Sequence, residues 1–142
     1  MMISTRGRYA LRVLIDLAEH RDGNYIPLKE IAARQEISLK YVEQVMSLLS
    51  SGGLVATAHG KGGGYRLNRD PSEYRVGDIL RVTEGTLVPV ACLEENTSPC
   101  ARAAECRTLP LWEKLSKAIS DCLDNVTLAD LAQTEIPDNY VI

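Results

Sequence analysis

The chain has 142 residues, of which 45% are hydrophobic, and this length suits one compact core with an extension. No run approaches the roughly 18 consecutive apolar residues of a membrane span, and the first eight residues have no apolar signal region, so we expect a cytoplasmic protein with no membrane partner. The net charge of -3 divides unevenly: residues 1–69 carry ten Lys and Arg against six Asp and Glu, whereas residues 70–142 carry six against thirteen. A basic first half is typical of proteins that neutralise phosphates, and an acidic second half limits indiscriminate binding.

Helical periodicity dominates the first third of the chain. Apolar residues recur every three or four positions between residues 8 and 20, which predicts an amphipathic helix with Asp16 on its polar face. A second helical run follows over Leu28–Arg34. Ser38 then stands where the N-cap of a third helix is expected, ahead of an apolar stripe that begins at Val42. The order helix, short turn, helix indicates a helix-turn-helix.

Two short extended runs, Leu54–Ala58 and Tyr65–Asn68, flank a glycine-rich segment and predict a β-hairpin. A glycine-rich loop that cradles a nucleotide phosphate would open a helix, and these glycines lie between two strands instead. We therefore interpret the hairpin as a wing, whose tip brings His59, Gly60 and Lys61 to phosphates or to a narrow groove.

The start of the third helix presents the side chains that base reading requires. Gln pairs with adenine, Lys with guanine and Glu with cytosine, while Ser and Tyr bind phosphates. The exposed residues expected there are Ser38, Leu39, Lys40, Tyr41, Glu43 and Gln44. The alternative is an ordinary solvated helix face, against which the adjacent wing argues.

The second half contains three further helices and a loop without a helical stripe. We expect a short helix over Val76–Thr83, a long apolar helix over Leu111–Val126 and a last helix over Leu128–Gln133, opened by a capping box of Thr127 and Asp130. We divide the chain into a winged helix-turn-helix domain (1–85), a cysteine-bearing loop (86–110) and a C-terminal helical segment (111–142).

Three cysteines, Cys92, Cys100 and Cys106, lie in the loop, with seven and five residues between them. Cytosolic thiols stay reduced, so a metal or redox site is a better interpretation than disulfides. The loop lacks the close cysteine pairs typical of structural zinc. Reversible thiol oxidation without metal is an alternative, as is an incidental set of cysteines. The fourth cysteine, Cys122, is expected to be a buried, inert thiol on the long helix.

Several motifs together carry a family resemblance. They are the runs Thr5–Ala10, Pro27–Ala32, Ile37–Gln44 and Gly60–Tyr65, followed by the cysteine loop and the C-terminal helices. In this order, and over essentially the whole chain, they resemble the IscR-like winged-helix regulators. The resemblance implies a mainly α fold with a small β-hairpin wing, double-stranded operator DNA as partner and a homodimer formed through the long helix. It also implies a transcription regulator, expected to repress, and neither an enzyme nor a binder of a small-molecule substrate.

By the same resemblance the residues expected at the DNA are Arg6, Tyr9, Lys29, Ser38, Leu39, Lys40, Tyr41, Glu43, Gln44, His59, Gly60 and Lys61. The glutamate at the position of Glu43 restricts which DNA motif the metal-free form accepts in the family. The family wing often carries Arg at the position of His59 and Pro at that of Lys61, so the wing contacts of this chain differ in detail.

The resemblance further implies an iron-sulfur cluster, 2Fe-2S, on Cys92, Cys100 and Cys106, which controls DNA binding and is removed by oxidation, nitric oxide or iron shortage. It implies that the regulator governs iron-sulfur cluster biogenesis or a redox or nitric-oxide response. Family members supply the fourth ligand as a histidine, where this chain has Leu109, or as an aspartate, where it has Arg8. We leave that ligand unassigned, with four glutamates as candidates besides Cys122 and a solvent thiol: Glu84, Glu94, Glu95 and Glu105. A thiol-based or cysteine-metabolism repressor without metal is the alternative function, and a small iron-sulfur redox module is a further one.

Overall fold

The computed structural model describes residues 2–95, 98 and 100–134. Within them, local sequence produces mostly helices and one hairpin, as predicted. The elements in chain order are α1 (Thr5–Glu19), α2 (Leu28–Gln35), α3 (Leu39–Ser51), β1 (Val55–Ala58), β2 (Gly64–Leu67), α4 (Val76–Glu84), α5 (Leu109–Asp124) and α6 (Leu128–Ala132). This arrangement confirms the predicted fold class, mainly α with a small β-hairpin wing.

Polar caps fix where the helices begin. The Ser38 hydroxyl accepts a hydrogen bond from the backbone N–H of Tyr41, which confirms Ser38 as the N-cap of α3. Thr127 and Asp130 form the predicted capping box at the start of α6. The sequence reasoning missed Ser4, whose hydroxyl caps α1, so that the helix begins at Thr5, three residues before the predicted start.

The wing is a two-stranded antiparallel sheet that is tied to the helical core. Val55 pairs with Leu67 at its base and Ala58 with Gly64 near its tip. Ile26, just before α2, exchanges both backbone hydrogen bonds with Tyr65, with N···O distances of 2.8 and 2.9 Å. The wing is therefore held in place by the chain that enters the helix-turn-helix.

The main core is shared by the first three helices, the wing and α6. Leu128 of α6 is fully buried in it, and its backbone N–H donates to the carbonyl of Tyr74. The Tyr74 hydroxyl in turn donates to the carbonyl of Leu54 at 2.7 Å. Residues of the predicted C-terminal segment thus contribute to the core of the winged helix-turn-helix.

One helix-face prediction is wrong. Asp16 was expected on the polar face of α1, but its side chain is fully buried against α2. Periodicity classes every carboxylate as solvent-facing, and it does not detect a partner from another helix. That partner is Arg34, supported by Gln35.

The long helix α5 packs on α4 with only part of its apolar surface. Ile119 and Leu123 contact a second cluster of buried residues, Val76, Leu80 and Leu87. Leu111, Leu115 and Cys122 are exposed, because they face away from α4. The prediction that Cys122 is buried is therefore wrong. No helix in the described residues is long and apolar enough to cross a bilayer.

Candidate nucleic-acid interface and cysteine loop

The outward face of α3 is polar and continuous. Its exposed side chains line one shallow depression: Lys40, Glu43, Gln44 and Ser47. Val42 and Val45, on the opposite side of the helix, are buried as predicted and fix its rotation. Ser38 and Leu39 are exposed at the N-terminal end of the same face. The structure therefore brings together the residues of α3 that the sequence predicted for base reading.

Two tyrosines connect α1 to the start of α3. The rings of Tyr9 and Tyr41 meet edge to face, with centroids 5.3 Å apart. The Arg12 guanidinium lies over the Tyr9 ring, 5.1 Å from its centroid. Tyr9 and Tyr41 are both half-buried, so each packs against protein on one side and leaves an edge accessible beside α3.

A polar network braces the turn between α2 and α3. Arg34 donates two hydrogen bonds to the Asp16 carboxylate, at 2.7 and 3.0 Å, and the Gln35 amide nitrogen donates a third at 2.9 Å. The Gln35 side-chain oxygen accepts from Arg12 at 3.2 Å, and its backbone carbonyl accepts a second bond from Arg12. Glu36, the next residue, has a left-handed backbone with φ 54°. Arg12 and Asp16 of α1 therefore fix Gln35, the residue before the left-handed Glu36.

Charge compensation makes the buried carboxylate of this network tolerable. Burial by itself raises the pKa of Asp16, but the hydrogen bonds from Arg34 and Gln35 and the charge of Arg34 outweigh burial and lower that pKa below its ordinary value of 3.8. Asp16 is thus held as a carboxylate. Sequence reasoning missed Arg12 and Gln35, because no local spacing signals a contact across 23 residues.

The tip of the wing is built for close approach. His59, Gly60 and Lys61 are all exposed, and the N–H of Gly63 donates to the carbonyl of Gly60 at 3.0 Å to close the turn. Gly60 has a φ of +82°, which favours glycine. Two polar side chains thus project from a compact turn, in agreement with the predicted geometry of a wing.

Besides Tyr9, two further residues predicted for DNA lie outside α3 and the wing. Arg6 is exposed at the start of α1, and its guanidinium donates to the carbonyl of Thr83 at 2.8 Å, which links α1 to the C-terminal end of α4. Lys29 is exposed in the first turn of α2. Their contact with DNA stays a prediction.

The cysteine loop contains only short 3-10 turns in its described part, Ala91–Leu93 and Ala103–Glu105. Cys100 and Cys106 line one depression together with Arg102, Glu105 and Arg107, whereas Cys92 is exposed in the earlier turn. In the described parts of the chain, no three His, Cys, Asp or Glu side chains lie close enough together to hold one metal ion. The chemistry of the loop nevertheless fits an iron-sulfur cluster, because cysteine thiolates are the usual ligands of such clusters and the loop supplies three cysteines.

Cys106 differs from the other loop thiols in its surroundings. Its Sγ lies 3.4 Å from the hydroxyl oxygen of Thr108, the residue that precedes α5. Hydrogen bonds from the side chain and backbone of Thr108 and from the backbone of Leu109 lower the pKa of the Cys106 thiol. A lowered pKa increases the thiolate fraction, which serves both metal binding and oxidation.

The candidates for a fourth ligand differ in position. The Glu84 carboxylate accepts two hydrogen bonds from Ser4, at 2.6 and 3.1 Å, and so secures the start of α1. Glu94 and Glu95 line a depression between the end of α4 and α5. Glu105 lines the same depression as Cys100 and Cys106, so it is the carboxylate best placed beside two of the cysteines.

A helix-turn-helix with an exposed polar face and a glycine-rich wing defines the class: this is a winged-helix, DNA-binding protein. The comparisons with known proteins then specify the family. The model of the Rrf2 family, described as an iron-dependent transcriptional regulator, matches residues 3–134. The chain belongs to the Rrf2 family of transcriptional regulators.

Curated relatives agree over the full chain. The HTH-type transcriptional regulator IscR of Vibrio campbellii is 38% identical over 142 residues, which is 100% of this chain and 81% of that protein. IscR of Serratia proteamaculans is 38% identical over 135 residues, 95% of this chain and 81% of that protein. The resemblance predicted from the motifs is therefore confirmed.

Solved structures include two kinds of regulator. CymR, the global cysteine regulator of B. subtilis, is 38% identical with a TM-score of 0.75, covering 95% of this chain and 99% of that one. IscR of T. potens is 35% identical with a TM-score of 0.69, covering 96% and 94%. The oxidized form of Staphylococcus aureus CymR is 36% identical with a TM-score of 0.72, covering 96% and 100%.

Proposed function

We propose that this regulator is a homodimeric repressor whose affinity for operator DNA is controlled by an iron-sulfur cluster, 2Fe-2S, held by Cys92, Cys100 and Cys106. The observation that carries the proposal is the position of the three thiols. They lie on a loop without a core of its own, immediately before α5, in a chain similar to IscR over its whole length. Ligation of a cluster would order such a loop.

In this proposal the DNA is read by α3 and clamped by the wing. Lys40, Glu43 and Gln44 reach base edges in the major groove, and Lys61 contacts the backbone or minor groove. The exposure of these side chains and the burial of the opposite face of α3 support that assignment. Glu43 is then the residue that rejects DNA motifs lacking a matching donor.

The cluster would act on DNA binding through α5 and α4. Arg81 of α4 donates two hydrogen bonds to Asp124 of α5, at 2.7 and 3.0 Å. The exposed apolar face of α5 is the surface for the second subunit, because an isologous contact buries the same patch on both copies. A loop that changes conformation at the start of α5 would alter the separation of the two DNA-binding heads.

The test is anaerobic purification followed by iron and sulfide analysis, visible spectroscopy and a gel shift on the protein's own promoter. We expect cluster absorption in the wild type and its loss in Cys92→Ala, Cys100→Ala and Cys106→Ala. Cys122→Ala is the matched control: its thiol is exposed on α5, outside the loop, so we expect the cluster to remain, and loss of the cluster would identify Cys122 as the fourth ligand. A colourless, iron-free wild type whose operator affinity ignores all three loop substitutions would refute cluster control.

A second candidate, a thiol-based repressor without metal, is favoured by two observations. Cys100 and Cys106 line the same depression, and the similar structures include the oxidized form of a CymR. In this case a metal-free sample would change its operator affinity on mild oxidation and recover with dithiothreitol, and Cys100→Ser would abolish the response. The same preparation therefore separates the two candidates by its iron content.

A further inference from the structure

A depression on the flank of the wing is separate from the DNA-reading surface described above. It lies between the turn that joins α1 to α2 and the two strands of the wing. Its lining includes two arginines, two asparagines and two small residues: Arg21, Arg66, Asn24, Asn68, Gly23 and Ala56. No Asp or Glu of the described chain lines it. This flank depression therefore presents two cations, with amide groups beside them and no carboxylate between them.

Arg66 is held in a fixed orientation at this site. Its guanidinium lies over the Tyr25 ring, 4.4 Å from the centroid, and its Nη1 donates to the carbonyl of Gly23 at 2.8 Å. The side chain is exposed, and its charge is not paired with a carboxylate of any described residue. The carbonyl uses one of the five N–H donors of the guanidinium. A guanidinium fixed in this way is preorganised to bind a phosphate through two parallel hydrogen bonds.

Arg21 supplies the second cation. It lines the same depression, and 45% of its side chain is exposed. Its ion pair with Asp70 spans 3.7 Å between two exposed groups. Such exposed pairs are weak, so an incoming phosphate could replace the carboxylate as the partner of Arg21.

The flank depression lies just behind the tip of the wing. Arg66 pairs with Ala56, two residues along the strands from the pair of Ala58 and Gly64 that precedes the tip. Two residues of a strand span about 7 Å. The minor groove of DNA is about 7.5 Å deep, and phosphates line its edges. If the tip enters that groove, Arg66 stands level with the phosphates at one edge.

We propose that the flank depression binds a phosphate of the operator backbone, at the edge of the minor groove that the wing enters, through Arg66 and Arg21. The inference rests on the docking of the wing proposed above and adds a contact to it. A free phosphate or a phosphorylated metabolite would offer the same chemistry. The backbone of DNA is the better match, because the site lies about 7 Å from the tip of an element that approaches DNA.

The salt dependence of operator binding tests this contact. Each phosphate that a protein neutralises adds about 0.9 to the slope of log affinity against log salt. Arg66→Gln should therefore reduce the slope by about one unit for each bound subunit, and should weaken binding about tenfold per subunit. An unchanged slope in Arg66→Gln would overturn the proposal.

Arg69→Gln is the matched control. Arg69 is also exposed, lies over the Tyr74 ring at 4.8 Å and donates to the carbonyl of Gly53 at 2.9 Å, so it has the same charge and the same kinds of contact as Arg66. It lies three residues farther along the chain from the tip and does not line the flank depression. Its substitution should leave the slope unchanged. A reduction as large as that of Arg66→Gln would indicate a general effect of net charge and would exclude a specific site.

Hydroxyl-radical footprinting locates the contact on the DNA. Arg66→Gln should lose protection at one edge of the minor groove that the wing enters, and should keep the protection given by α3. A purely structural role of Arg66 would instead weaken protection over the whole operator. Arg66→Lys retains the charge but not the planar stack, so it should keep the salt slope of the wild type. Identical footprints of wild type and Arg66→Gln would contradict the proposal.

Calorimetric titration of the DNA-free protein with inorganic phosphate separates the two sources of phosphate. We expect no saturable binding up to millimolar concentrations, because two exposed arginines hold a solvated anion weakly. Tight phosphate binding that Arg66→Gln abolishes, together with an unchanged salt slope on DNA, would assign the depression to a free anion instead of DNA.

Lys61→Ala distinguishes this inference from the docking of the wing itself. If Lys61→Ala and Arg66→Gln both leave the slope and the footprint unchanged, the proposed docking fails together with the inference. If Lys61→Ala changes them and Arg66→Gln does not, the inference alone fails. Should circular dichroism show that Arg66→Gln does not fold, Arg21→Gln replaces it with the same expected change in slope, since Arg21 holds only an exposed ion pair.

Discussion

Replacement of Asp16 by asparagine tests whether the buried network sets the stability of the helix-turn-helix. The wild-type carboxylate accepts three hydrogen bonds, two from Arg34 and one from Gln35. Asparagine has the same shape but lacks the charge, and its amide group turns two donors toward neighbours that are themselves donors. At least one buried polar group would lose its partner.

The expected cost follows from burial. Breaking a buried ion pair by removal of one partner costs about 3–5 kcal/mol. Arg34 keeps 30% of its side chain exposed and retains an ion pair with Glu30, so its charge is partly hydrated in the variant. We therefore expect a loss at the lower end, about 3 kcal/mol of unfolding free energy, or on the order of 10 °C in Tm.

The effect should depend on pH with a definite sign. The pKa of Asp16 is lowered in the folded state, so its contribution is fully present above the ordinary value of 3.8 and is lost as the pH falls through the lowered folded-state pKa. The free-energy difference between wild type and Asp16→Asn should therefore be constant near neutral pH and shrink below about pH 4. Urea unfolding followed by circular dichroism at several pH values measures this difference.

Glu30→Gln is the matched control for this prediction. Glu30 pairs with the same Arg34 at 3.6 Å, but its side chain is 59% exposed, and such pairs contribute about 0–1 kcal/mol. If Asp16→Asn costs no more than Glu30→Gln, or if its effect does not diminish in acid, the reasoning about the buried network is wrong.

Three further substitutions address the wing and the DNA-reading face. Gly64→Ala should displace the wing, because an added Cβ would lie 2.1 Å from the carbonyl oxygen of Ile26, so thermal unfolding and operator titration should both deteriorate. Gly62→Ala is the control: its Cβ would meet open space, so it should cost only the backbone strain of a positive φ, about 1–2 kcal/mol. Gln44→Ala should cost roughly 1–3 kcal/mol at one base pair and relax the preference there, as competition binding with operator variants would reveal; equal losses on all sequences would contradict base reading. Lys61→Ala should weaken binding to every sequence alike and reduce the slope of log affinity against log salt by about one unit, and an unchanged slope would argue against a phosphate contact.

The helices and their caps were predictable because their signals are local. Ser38 and the Thr127 capping box lie within three residues of the groups they bind, and helical periodicity is visible in any window of the chain. Asp16 was misplaced for the opposite reason. Its partners are 18 and 19 residues away, and only the packing of α2 on α1 brings them together.

The apolar face of α5 shows a second limit of sequence patterns. A single stripe through Leu111, Leu115, Ile119, Cys122 and Val126 was predicted, and the structure divides it. Ile119 and Val126 pack toward α4, while the others face outward. Helical spacing alone does not distinguish two adjacent apolar strips from one broad strip, because both have spacings of three and four. Contact with α4 supplies the distinction.

The position of α4 explains how a cysteine loop and a DNA-reading helix are mechanically related. Its C-terminal end binds the start of α1 through Glu84 and Ser4, and its middle binds α5 through Arg81 and Asp124. Helix α1, in turn, holds the turn before α3 through Arg12. In the proposed mechanism, a displacement of α5 would reach α3 through these polar contacts, which are few and directional. These contacts transmit a signal only if cluster binding or oxidation of the loop stabilises one arrangement of the helices more than another. A change that stabilises both arrangements equally leaves their equilibrium where it was.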